Sequence, residues 1–126
     1  MRIGQGVDVH AFDQSGSADS VRLGGVDILH DRRLIAHSDG DVVLHALMDA
    51  LLGAAALGDI GQHFSDSDPA YAGADSMALL RQVVQMIRAE SYAIGNADIT
   101  IAAERPKIAP HASNMRERIA DALGVD

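Results

Sequence analysis

The chain contains no cysteine, no tryptophan and a single lysine, Lys107, among its 126 residues. Without thiols there are neither disulfides nor thiolate ligands, so no oxidising compartment is needed and any metal must be held by histidine, carboxylate or substrate oxygen. Aromatic residues make up only 3%, and the 10 basic residues form no block against 18 acidic ones. The basic footprint and stacking platforms of nucleic-acid binders are therefore missing, and no nucleic-acid partner is expected. The longest apolar stretch, Ala50 to Leu57, falls far short of the roughly 18 residues of a membrane span, and the first twenty residues hold no apolar leader core. No membrane association and a cytoplasmic location are expected. A net charge of −8 repels phosphate esters. Any such substrate has to be received by local cations, which bound metal ions can supply.

A chain of this length fits one compact domain large enough to fold without covalent staples. Ile3, Val7 and Val9 alternate with Gly4, Gly6, Asp8 and His10, which predicts a strand buried on its apolar face and presenting Asp8 and His10 together on the other. Val21 to Leu23 and Val26 to Ile28 flank Gly24-Gly25 and predict a tight hairpin. Ser38, three residues before Asp41, reads as a cap for a helix reaching about Leu57, on whose apolar surface Asp41, His45 and Asp49 form a polar stripe. Gly58 to Pro69 reads as a loop. Asp75 and Ser76 suit the start of a second helix carrying Met77, Leu80, Val84 and Ile87. Asp98 to Ala103 alternates as a strand, Glu104 to Ala109 is a Pro-bounded loop, and Ala112, Met115, Ile119 and Ala122 mark a last helix ending near Gly124. No repeat or linker interrupts this order. The simplest architecture is an α+β (α/β two-layer) fold, one layer of strands and one of helices.

Asp8, His10 and His45 supply one carboxylate and two imidazoles, a donor set that leaves zinc an open position, whereas structural zinc sites close with four ligands. Alone, Asp8 and His10 read more readily as a surface ion pair, and His45 as a hydrogen-bonded histidine on a helix; the conjunction of the three points to a metal. Asp41 and Asp49 lie one helical turn either side of His45 and are expected to fix its tautomer by accepting its second N–H. His37 and Ser38 stand at a helix start, where free backbone N–H groups favour an anion such as phosphate. Arg105-Pro106-Lys107 is a rigid basic loop suited to a diphosphate or a base. His30, His63 and His111 lack comparable surroundings and read as surface or structural residues.

Taken in order, Gly4-x-Gly6-x-Asp8-Val9-His10, Leu34 to Val42 with His37-Ser38-Asp39-Gly40-Asp41, His45-Ala46-Leu47-x-Asp49-Ala50, Gly58-Asp59-Ile60-Gly61-x-x-Phe64 and Ala103-Glu104-Arg105-Pro106-Lys107 resemble the 2-C-methyl-D-erythritol 2,4-cyclodiphosphate synthase family. The resemblance spans nearly the whole chain. It implies conversion of 4-diphosphocytidyl-2-C-methyl-D-erythritol 2-phosphate into the cyclic diphosphate and CMP, in non-mevalonate isoprenoid biosynthesis. It also implies a mixed β-sheet with helices on one face, the sheets of three subunits facing a central axis, and active sites between adjacent subunits of the homotrimer. Carried over residue by residue, Asp8, His10 and His45 bind one Zn2+ per subunit, with a second divalent ion, Mg2+ or Mn2+, on the substrate diphosphate. His37 stabilises the transition state. Asp8, His10, His37, Ser38, Asp59, Ile60, Gly61, Phe64 and Asp66 contact the methylerythritol phosphate end, and Ala103, Pro106, Lys107 and Ile108 the cytidine end. Members of the family continue into a Thr-Thr-Thr-Glu segment and a Gly-rich strand and helix. None of that follows Asp126, so residues 1–126 are read as one synthase domain lacking the C-terminal segment, either in a truncated chain, the favoured reading, or in a protein that has lost part of its site. Other readings of the same triad are a metal-dependent phosphohydrolase and a metal-braced assembly module without catalysis.

Overall fold

A computed structural model describes all residues, 1–126. Its regular elements are a hairpin of β1 (Ser20–Leu23) and β2 (Val26–Leu29) and helices α1 (Val42–Ala54), α2 (Ile60–His63), α3 (Ser76–Ala89) and α4 (Ala112–Leu123), with 3-10 turns at Pro69–Tyr71 and Ala109–His111. The hairpin is antiparallel with Val21 opposite Ile28, and Gly24 and Gly25 take the positive φ values, 59° and 76°, that so short a turn demands. Helix α3 packs on both α1 and α4. Leu44, Met48 and Leu52 of α1 meet Leu80, Val83 and Val84 of α3 and Met115 and Ile119 of α4 in one core, closed by Val21, Leu23 and Ile28 from the hairpin.

Caps explain where the helices begin. Asp41 caps α1, its carboxylate accepting the Leu44 N–H, so the helix starts later than Ser38 suggests. Asp75 caps α3 in the same way through the Met77 N–H. Gly124, at φ 71°, ends α4 in the left-handed conformation that glycine adopts without a Cβ penalty.

Two expected strands do not enter a ladder. Residues 1–10 and 98–103 are extended but unpaired, and the single sheet is the two-stranded hairpin rather than a mixed sheet. Gln5 to His10 and Asp98 to Arg105 instead line a common cleft of about 790 Å³, and no backbone hydrogen bond joins them. The alternation in residues 3–10 holds with its faces exchanged. Gly6, Asp8 and His10 turn toward the body of the protein, while Ile3, Val7 and Val9 are 84, 73 and 84% exposed.

Glycine makes that inward turn feasible. A Cβ on Gly4 would overlap the Ala50 carbonyl and one on Gly6 the Ala46 carbonyl, so this segment lies directly on the backbone of α1. Two residues of extended chain and four of helix both advance about 6 to 7 Å, so Gly4 over Ala50 and Gly6 over Ala46 carry Asp8 toward the first turn of α1. His45 is on that turn.

Candidate metal centre

The backbone contact between residues 4–6 and α1 delivers the expected convergence: Asp8, His10 and His45 place one ligand atom each within 4.8 Å of one another. Asp8 Oδ2 lies 2.8 Å from His10 Nε2 and 3.1 Å from His45 Nδ1. Tetrahedral zinc with bonds of about 2.0–2.1 Å holds its ligand atoms roughly 3.3 Å apart, so both Asp8 distances lie within about half an ångström of the spacing the ion requires. The imidazole rings sit with centroids 5.3 Å apart and tilted by 53°. Asp8 and His10 are half-buried, whereas His45 is 8% exposed. His10 Nδ1 is buried without a hydrogen-bond partner.

The far side of His45 is firmly held. Its Nε2 lies 2.9 Å from Ser76 Oγ and 3.0 Å from Ser38 Oγ. Ser76 in turn donates its hydroxyl to Asp39 Oδ1 at 2.6 Å and its backbone N–H to Asp39 Oδ2 at 2.9 Å. The 37–39 segment is pinned by backbone bonds from Gly73 N–H to His37 and from Asp39 N–H to Ala74. His37, the sequence neighbour of Ser38, is exposed.

Asp41 and Asp49 do not serve His45 as expected. Buried Asp41 accepts the Gly24 and Gly25 N–H groups, each at 2.8 Å, and the Leu44 N–H at 3.1 Å, tying the hairpin turn to the start of α1. Burial pushes its carboxyl above the ordinary 3.8, against the opposing pull of those three donors. Asp49 accepts the Ile60 N–H at 2.9 Å and so anchors α2. Both face backbone donors from other elements, and helical spacing alone carries no information about those. Ser76 and Asp39 take the place assigned to them. Ser76 had signalled only a helix start, and nothing in its local sequence names the Asp39 and His45 side chains that meet it.

The other expected site residues fall into two groups. Ala103 and Pro106 line the same cleft as Asp8 and His10, while Lys107 is exposed and Ile108 half-buried just beyond it. Asp59, Ile60, Gly61, Phe64 and Asp66 belong to the α2 region. There Asp59 caps α2 through the Gln62 N–H at 3.0 Å, and Phe64 is buried edge-on against Tyr71 at 5.4 Å. Asp66 and Gly61 are exposed. Of the remaining histidines, His30 lies against Phe12 with ring centroids 4.6 Å apart and tilted by 46°, on the wall of the same cleft, and His63 Nε2 contacts the Leu57 carbonyl at 2.6 Å.

Residues 1–126 match the profile of the YgbB family along their whole length. Among curated proteins, the chain is 62% identical over 126 residues to the 2-C-methyl-D-erythritol 2,4-cyclodiphosphate synthase of Ectopseudomonas mendocina, covering 100% of this chain and 78% of that protein. Among solved structures, one of a 2C-methyl-D-erythritol-2,4-cyclodiphosphate synthase superposes with a TM-score of 0.90 at 36% identity, covering 99% of this chain and 81% of the other. The IspF of Plasmodium falciparum, solved as a CDP complex, superposes with a TM-score of 0.81 at 35% identity, covering 99% and 74% respectively.

Proposed function

Because this chain belongs to the YgbB family, we propose its reaction and the roles of its residues on that footing. It is an enzyme of non-mevalonate isoprenoid biosynthesis that converts 4-diphosphocytidyl-2-C-methyl-D-erythritol 2-phosphate into 2-C-methyl-D-erythritol 2,4-cyclodiphosphate and CMP. A relative of the same fold binds CDP, which fits a cytidine diphosphate-linked substrate. The observation that carries the metal-assisted reading is the convergence of Asp8, His10 and His45 from two distant elements.

The 2-phosphate oxygen attacks the β-phosphorus, a new O–P bond forms, and the bond from the β-phosphorus to the bridging oxygen breaks, leaving that oxygen on CMP. The nucleophile belongs to the substrate, so the protein contributes position and charge rather than a covalent partner. Zinc held by Asp8, His10 and His45 supplies Lewis-acid polarisation and orientation at the β-phosphate when bound. A second divalent ion, Mg2+ or Mn2+, accompanies the diphosphate. Ser38, which contacts His45, receives the phosphate end, and His37 before it serves the charge that develops at phosphorus. Asp59 takes the sugar hydroxyls, with Ile60, Gly61, Phe64 and Asp66 shaping that side. Ala103, Pro106, Lys107 and Ile108 receive the cytidine.

The exposed apolar side chains of Ile3, Val7, Val9, Leu29 and Ile35 support a homotrimer in which partner subunits cover them around the central axis. No helix is long and apolar enough to cross a membrane, and the cysteine-free chain suits the cytoplasm. The test is incubation of the purified protein with the cytidyl substrate, zinc and magnesium. CMP and the cyclic diphosphate are expected in equal amounts, without solvent ¹⁸O in either phosphate. Absence of CMP release overturns the assignment, and ¹⁸O incorporation replaces it with hydrolysis.

A further inference from the structure

Resting on the metal reading of the triad, we infer that Asp39 and Ser76 are positioning residues that fix the tautomer of His45 and so aim its Nδ1 lone pair at the ion. The inference follows from counting protons. Asp39, as a carboxylate, only accepts, and it occupies both Ser76 donors: Oγ–H at 2.6 Å and the backbone N–H at 2.9 Å. The Ser76 hydroxyl has a single proton, already given away. Toward His45 Nε2, 2.9 Å distant, Ser76 Oγ can therefore only accept, so the ring proton sits on Nε2.

Nδ1 is then a lone pair, facing the Asp8 carboxylate oxygen at 3.1 Å. Two electron-rich atoms at that distance repel unless a proton or a metal ion lies between them, and an ion can take that place. The polarity of the chain from Asp39 through Ser76 to His45 thus ends in a metal-ready nitrogen. Ser76 is 0% exposed, so water does not compete for its hydroxyl. Ser38, 3.0 Å from the same Nε2, has no carboxylate partner and its hydroxyl is free to turn, so it follows the tautomer rather than dictating it. These partners lie 37 and 31 residues from the atoms they control. Metal-bound imidazoles held in this way commonly lose about 10- to 100-fold in metal affinity when the outer partner is removed.

The decisive measurement needs neither metal nor variant: ring ¹H–¹⁵N correlation spectra of the labelled, metal-free chain, taken with His45 neutral. The Nε2–H tautomer is expected, and Nδ1–H overturns the inference. In Asp39→Asn, the side-chain amide can donate to Ser76 Oγ, which frees the hydroxyl to donate to Nε2 and is expected to shift His45 toward Nδ1–H. Zinc dissociation constants, measured by competition with a chromophoric chelator, should rise about 10- to 100-fold in Asp39→Asn and Ser76→Ala. Unchanged zinc affinity in both variants, each shown to be folded by thermal melting, overturns the positioning role. A wild-type chain that binds no zinc overturns the metal reading instead, and the tautomer still reports separately on the hydrogen-bond chain.

Discussion

Replacing Asp41 by alanine tests whether one buried carboxylate joins the hairpin to α1. The carboxylate is 0% exposed and accepts three backbone N–H groups, from Gly24, Gly25 and Leu44. Loss of the helix cap costs about 1 kcal/mol. Each glycine N–H left buried and unpaired costs about 1–3 kcal/mol. Relief from burying a charge, which already raises the Asp41 carboxyl above 3.8, offsets part of this. The expected net destabilisation is about 2–4 kcal/mol, read by urea denaturation followed by circular dichroism. Asp41→Asn should also destabilise, because its NH2 group faces one of the glycine donors. A loss below about 1 kcal/mol for alanine would mean that the turn finds other partners, and the reasoning fails. The pH dependence gives a second check. A carboxyl raised by folding contributes stability that is fully present below 3.8 and is lost as pH rises through its folded value. The advantage of wild type over Asp41→Asn should therefore narrow with rising pH, and a widening gap contradicts the burial argument.

Further outcomes are expected elsewhere. Gly6→Ala drives a methyl group into the Ala46 carbonyl and shifts Asp8 and His10 away from His45; zinc affinity by competition titration should fall about 10²-fold or more, as for misplacement near 1 Å. Asp8→Ala removes the carboxylate shared by both imidazoles and should lower kcat/KM by at least about 10²-fold in the CMP-release assay, with the melting temperature of the metal-free chain little changed. Chelation should lower the melting temperature of the zinc-loaded protein in proportion to the logarithm of free zinc over its dissociation constant, and a temperature indifferent to chelator counts against a folded-state site. Asp13, held down to about 2 by hydrogen bonds from Ser15 and then by Arg33, contributes stability present above 3.8 and lost as pH falls through about 2. Acid titration of Asp13→Asn should lack that component.

Helices and hairpin were legible because their signals are local: helical spacing in Met77, Leu80, Val84 and Ile87, and a diglycine between two short β-branched runs. The triad was legible for a chemical reason, since two imidazoles and a carboxylate in a cysteine-free chain form a donor set that could hold a metal ion. What escaped depends on distant partners. Residues 98–103 have the right alternation, but a strand is defined by its neighbour, and none lies within bonding reach. Asp41 and Asp49 were assigned by helical spacing to His45, yet Gly24, Gly25 and Ile60 supply closer and stronger donors. The outer partners of His45 come from Asp39 and from the start of α3, a meeting that only the folded chain displays.

The glycine track along α1 makes the spacing of the first ten residues unforgiving. Inserting one residue between Gly6 and Asp8 would rotate the segment by half a pleat, throwing the carboxylate outward and turning a valine against the helix. Inserting two restores the rotation but overshoots His45 by about 6 to 7 Å. Neither length change can be absorbed by side-chain adjustment, because the seat is main chain against main chain.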